Sequence, residues 1–183
     1  MSDQQSIRGQ YEKHGVQGFY EQYGDQYRNP HEFAIREVLA RAVTTWQPDL
    51  AHVLDLACGS GEVTLALKEL GCTRIDGIDP YTGNAYTERT GQHAEPFTFA
   101  QIASGILSGR HYSLIVCSFA LHLLEDSRLP TLAYQLSLIT DGLLILTPHK
   151  RPEIDASWGW TIVGELVEDR VRARYYKSSS GMR

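Results

Sequence analysis

Short continuous apolar runs punctuate the middle of this chain, each bounded by Gly, Pro, Asn, Asp or Ser. Residues 52–57, 73–79, 97–101, 112–119 and 142–147 read in this way as strands buried on both faces. Between them the apolar period switches to that of a helix. Asn29-Pro30 opens one helix, with Asn as cap and Pro in the first turn, and its stripe runs through Ile35, Val38, Leu39, Ala42, Val43 and Trp46 until Pro48 ends it. Residues 61–70, closed by Gly71, form a second. Residues 128–139 form a third, with Leu129, Leu132, Leu136 and Ile139 on one face. Residues 160–168 and 171–177 break this rhythm, because two strands joined only by Glu168-Asp169-Arg170 can pair only antiparallel.

Strands alternating with helices predict a parallel sheet covered on both faces. The expected fold class is therefore α/β, a Rossmann-like three-layer sandwich whose mostly parallel seven-stranded sheet ends in a C-terminal antiparallel hairpin. No repeat, low-complexity run or linker divides the 183 residues, so one domain over 29–183 is expected. The Tyr- and Gly-rich segment before it, residues 1–28, reads as a flap or lid.

Composition excludes several function classes. At 42% hydrophobic and 21% charged, the chain is neither disordered nor fibrous. Seventeen Lys and Arg against 22 Asp and Glu give a net charge of -5, which disfavours a nucleic-acid partner. Cys58, Cys72 and Cys117, an odd number in apolar surroundings, read as buried thiols of a reducing compartment. The polar start lacks the apolar core of a secretory leader, so a cytoplasmic location is expected. The most apolar stretch, residues 112–124, falls short of the roughly 20 residues a membrane span needs, and no membrane partner is expected.

The most informative segment is Val53-Leu54-Asp55-Leu56-Ala57-Cys58-Gly59-Ser60-Gly61-Glu62, a buried strand running into a glycine turn that opens a helix. Glycines there let a ligand lie against the backbone. The next strand ends in Gly77-Ile78-Asp79, placing a carboxylate where both hydroxyls of a ribose could donate to it. Two nucleoside cofactors compete for such a site. A dinucleotide fingerprint, G-x-G-x-x-G, would need a third glycine where Thr64 stands. The carboxylate of Asp55 would also repel a pyrophosphate, yet it suits a ligand carrying an amino group and a sulfonium, which is S-adenosylmethionine.

With Asp79, the run from Leu54 to Gly61 resembles the first two motifs of the class I S-adenosylmethionine-dependent methyltransferases. The resemblance continues through Ile115-Val116-Cys117-Ser118-Phe119-Ala120-Leu121-His122-Leu123-Leu124, through Leu143-Leu144-Ile145-Leu146-Thr147-Pro148, and into the terminal hairpin. It implies S-adenosylmethionine as cofactor. Asp55, Ala57, Cys58, Gly59, Ser60 and Gly61 would line its methionine part, and Asp79 with Pro80 would hold the ribose. Ser118 and Phe119 would touch the amino-acid end, while Gln101 and Ile102 take the place where many members set an acidic residue against the adenine. Apart from the resemblance, the flap is expected to fold over the bound cofactor, with Tyr23 or Tyr27 covering it and Arg28 pairing with its carboxylate.

Methyl transfer from a sulfonium needs alignment and exclusion of water more than acid–base chemistry. Where the acceptor is a hydroxyl or a protonated amine a base helps, and His149 and His122, at the ends of the fifth and fourth strands, are the candidate catalytic residues. Tyr23, His31, Lys150 and Trp158 are the candidate acceptor contacts. The chain lacks the [DN]-P-P-[YFW] clamp of enzymes acting on conjugated amines, a Pro-Cys nucleophile, and clustered carboxylates for a metal. A small-molecule acceptor, methylated at oxygen or nitrogen and without metal, is the expectation, and a homodimer is kept open. The rival readings are a non-catalytic methyltransferase-like subunit that binds or activates a partner enzyme, and a nicotinamide-dependent oxidoreductase.

Overall fold

Val53–Leu56 (β1) is buried along its whole length, as a strand with neighbours on both edges and helices on both faces must be. The computed structural model describes Gly15, Gly18 and residues 23–180. The remaining strands are Ile75–Ile78 (β2), Ala94–Glu95 (β3), Leu114–Ser118 (β4), Gly142–Thr147 (β5), Trp160–Glu168 (β6) and Val171–Ser178 (β7). They form one sheet of order β3-β2-β1-β4-β5-β7-β6. β1 to β5 run parallel, and β7 pairs antiparallel with both β5 and β6. Asp169 and Arg170, both at positive φ, make the two-residue turn of that hairpin.

Among the described residues, the α-helices that accompany the sheet are Glu32–Trp46 (α1), Glu62–Glu69 (α2), Gly83–Thr90 (α3), Phe99–Ala103 (α4) and Leu129–Ser137 (α5). Alternate residues of the central strands point to opposite faces. Val53, Val116, Leu144 and Leu146 meet α1 and α2 through Ile35, Leu39, Val63 and Leu67. Leu54, Leu56, Ile115, Cys117, Leu143 and Ile145 meet α4 and α5 on the other face, with Leu132, Leu136 and Trp160. The buried indole N–H of Trp160 donates to the Ala133 carbonyl at 2.8 Å.

Three local expectations need correction. Residues 97–101 are not the third strand: that strand is Ala94–Glu95, and Thr98 instead starts α4 with a capping box, accepting from the Gln101 backbone N–H while the Gln101 side chain accepts from Thr98 N–H. Asn29 is not the helix cap, since α1 begins at Glu32, and its side chain closes a turn just before by accepting from His31 N–H at 2.9 Å. Helix α3 is absent from the sequence pattern, because only Ala85 and Tyr86 of its eight residues are buried and no apolar stripe marks it.

Candidate functional site

The sequence from Ala57 to Gly61 makes a turn that no ordinary run of L-residues could follow. Ala57 and Gly59 lie at φ 58° and 55°, and Gly61 at 90°. The turn is closed by Gly61 N–H donating to the Cys58 carbonyl at 2.8 Å and tied to β2 by Cys58 N–H on the Ile78 carbonyl at 3.1 Å. A Cβ on Gly61 would stand 2.4 Å from Thr90 Cγ2, so this glycine lets α3 close against the turn. A Cβ on Gly59 would meet Tyr27 Cε1 at 3.2 Å, on the side that faces a cavity.

That cavity holds about 550 Å³ and opens outside the carboxyl ends of β1, β2 and β4, where open parallel sheets bind their ligands. Strand ends contribute Leu56, Ala57, Gly59, Ile78, Asp79, Pro80, Ser118 and Phe119. Tyr81, Phe97, Thr98, Phe99 and Ala100 form one wall, and Ala120, Leu123, Leu124, Glu125 and Arg128 another. Tyr27, from the segment before α1, lies over the glycine turn.

Asp79 is 9% exposed and accepts from three backbone donors: Gly59 at 3.1 Å, Tyr81 at 2.9 Å and Thr82 at 3.0 Å. Burial raises its pKa while these donors pull it back. The Ser118 hydroxyl is buried on the cavity wall and has no hydrogen-bond partner among the described residues. A buried carboxylate, a bare glycine backbone, an orphaned hydroxyl and flat aromatic walls fit a nucleoside carrying a polar amino-acid tail.

The structure brings Ala57, Gly59, Asp79, Pro80, Ser118, Phe119 and Tyr27 together around this cavity. It places other expected contacts elsewhere. Asp55 is buried behind the turn, where its Oδ2 accepts from the Thr64 backbone N–H at 3.0 Å and the Thr64 hydroxyl at 2.7 Å, anchoring α2. Cys58, Ser60 and Gly61 are buried and off the cavity wall. Burial pushes the Cys58 and Cys117 thiols up, away from reactivity. Gln101 is spent in the capping box and Ile102 lies in the core, so Phe97 to Ala100 occupy the wall that those two were expected to form. Arg28 points to Glu88 at 3.4 Å. Tyr23 is exposed off the wall, and Trp158 packs against the core face of α5.

The candidate bases form a pair beside the cavity rather than in its wall. The rings of His122 and His149 are 4.7 Å apart, and His122 Nδ1 is buried without a hydrogen-bond partner among the described residues. Burial, and to a smaller degree His149, pushes His122 down to about 4. His31 stacks on Phe119 at 5.2 Å, and Lys150 is exposed after β5.

Tyr81, Phe97, Thr98, Phe99, Leu123, Leu124, Glu125 and Arg128 line the cavity without being marked as site residues by any sequence motif. The Thr98-x-x-Gln101 capping signature was the available signal for the first aromatic wall.

A family model described as a methyltransferase domain matches residues 26–167. An uncharacterized protein of Schizosaccharomyces pombe is 33% identical, over 94% of this chain and 92% of its own length. The fold is shared with magnesium protoporphyrin IX methyltransferase of Synechocystis, solved with S-adenosylmethionine, at TM-score 0.60 and 19% identity over 98% of each chain. It is shared too with the N-methyltransferase NodS of Bradyrhizobium japonicum, solved with S-adenosylhomocysteine, at TM-score 0.61 and 17% identity over 82% of this chain and 88% of that one. The chain belongs to the methyltransferase-domain family and has the class I fold of the S-adenosylmethionine-dependent methyltransferases.

Proposed function

We propose that this protein transfers the methyl group of S-adenosylmethionine to an oxygen or nitrogen of a small-molecule acceptor. The observation that carries the reading is the cavity in which Gly59, Asp79 and Ser118 converge from three neighbouring strand ends. Bound there, S-adenosylmethionine supplies a sulfonium whose methyl is already activated for displacement.

The chain's own residues hold and dry the site. Asp79, already fixed by three backbone donors, keeps lone pairs for the ribose hydroxyls. Ser118 would offer its unpaired hydroxyl to the amino-acid end, and the cavity-lining Phe97 and Phe99 would hold the base. Tyr27 lies over Gly59 on the cavity wall, which supports the reading of residues 1–28 as a cover, a segment of which Gly15, Gly18 and residues 23–28 are described. Held at about 4, His122 stays neutral at physiological pH, and in this reading the exposed His149 beside it takes the proton of the methyl acceptor.

The test is release of S-adenosylhomocysteine with a panel of small phenols, carboxylates and amines. His149→Ala is expected to lower turnover while cofactor affinity stays unchanged. Equal turnover would remove His149 from the mechanism, and a complete lack of turnover in a protein that binds cofactor would favour a non-catalytic partner subunit.

A further inference from the structure

The chain segments that leave β4 and β5 emerge side by side. Ser118 and Leu146 are in register, and Phe119 N–H donates to the Leu146 carbonyl at 2.8 Å. Phe119 and Leu123 wall the cavity, and His122 between them touches His149. The rim of residues 148–151 therefore lies just outside the cavity wall, next to His122 and on the β5 side of the sheet, away from Asp79 at the end of β2.

This rim is pinned at both ends. The Thr147 hydroxyl accepts from His149 N–H at 3.2 Å. On the far side Arg174, 3% exposed, donates to the Pro152 carbonyl at 2.8 Å, and the Tyr176 hydroxyl accepts from Ile154 N–H at 3.4 Å. His149, Lys150 and Arg151 stand exposed between these anchors.

Their charge is left uncompensated. Arg28, Arg36, Arg41, Arg89, Arg110, Arg128, Arg172 and Arg174 each pair with a carboxylate. Lys150 and Arg151 pair with none among the described residues, and neither do Lys68, Arg74, Arg170 and Lys177; what sets Lys150 and Arg151 apart is that they are consecutive and follow His149, in a chain whose net charge is -5. Adjacent unpaired cations on a fixed rim, one of them a guanidinium fork, match a carboxylate or a phosphate.

We infer that the acceptor carries an anionic group, received by Lys150 and Arg151 beside His149, so that its nucleophile points back toward the cavity. The inference rests on the reading of the cavity as a methyl-transfer site.

The test follows the imidazole resonances of His149 and His122 in the full chain during titration with benzoate, phenyl phosphate and the neutral benzamide, with and without S-adenosylhomocysteine. Benzoate or phenyl phosphate should shift His149 saturably and benzamide should not. The tighter of the two anions assigns the group as carboxylate or phosphate. In Lys150→Gln/Arg151→Gln, two exposed substitutions that leave the core untouched, anion affinity should fall about tenfold, a loss in the range of charge-assisted hydrogen bonds, with S-adenosylhomocysteine affinity unchanged. An equal response to benzamide, or equal anion affinity in the double variant, would overturn the proposal. So would a single-stranded oligonucleotide that binds where both small anions fail. Failure of S-adenosylhomocysteine to bind would refute the cofactor reading instead, and the titration without it still decides the anion site.

Discussion

Replacing Asp55 by Asn is expected to stabilise this protein in a pH-dependent manner. The side chain is 1% exposed. Desolvation, offset only in part by the Thr64 hydrogen bonds and reinforced by the charge of Glu62, lifts its carboxyl from 3.8 to about 7. The fold then binds more protons than the open chain between those values, so stability falls as pH rises from 3.8 to about 7 and stays low above it. At about 1.4 kcal/mol per pH unit, the interval amounts to about 4 kcal/mol against the fold at pH 8. Asparagine keeps one oxygen for both Thr64 donors and removes the charge. Its unpaired amide hydrogens cost about 1–2 kcal/mol. The net gain is about 2 kcal/mol, or about 5 °C in melting temperature for 183 residues. Thermal unfolding followed by circular dichroism should show this gain at pH 8 and little of it at pH 5, where Asp55 is already protonated in the fold. A variant that melts at or below wild type at both pH values would refute the claim that burial dominates at this carboxylate.

Other consequences are open to direct measurement. Gly61→Ala, at φ 90° and with its new Cβ 2.4 Å from Thr90 Cγ2, should lose at least about 2 kcal/mol in urea unfolding. His122 should titrate by NMR near 4, and His149→Ala should raise that midpoint only part of the way to the ordinary 6.5, since burial is the larger cause. Because the folded value is the lower one, His122 withdraws stability as pH falls from 6.5 to about 4, and His122→Leu should flatten that slope. Glu62 is 6% exposed and accepts from Asn29 N–H at 3.1 Å, from the Ser60 hydroxyl and from Arg89 at 3.4 Å. Glu62→Ala should cost about 3 kcal/mol and speed protease cleavage before α1.

The elements most legible in the sequence were those whose burial is written in side chains. β5 has the bounds its apolar run predicts, and the hairpin of β6 and β7 follows from a turn too short for any other pairing. Less legible were elements decided by hydrogen bonds. β3 is two residues long and is defined by its pairing with Gly77 and Ile78, so no period could announce it. Taking Phe97 for part of a strand then hid the aromatic wall that the capping of α4 creates. At the site, the glycine turn with Asp79 was readable because few residue types tolerate that geometry. The inward role of Asp55 was not, because it depends on Thr64 being the nearer partner, nine residues on.

Calorimetric titration with S-adenosylhomocysteine, with NAD as control, tests the central claim most directly. In Asp79→Asn, which keeps an acceptor for some of its backbone donors and is checked for folding by its melting curve, affinity should drop about tenfold or more, as expected for loss of charge-assisted bonds to a ribose. NAD should not bind either protein. Equal affinity for S-adenosylhomocysteine in wild type and a folded Asp79→Asn, or binding of NAD in its place, would contradict the assignment of this cavity.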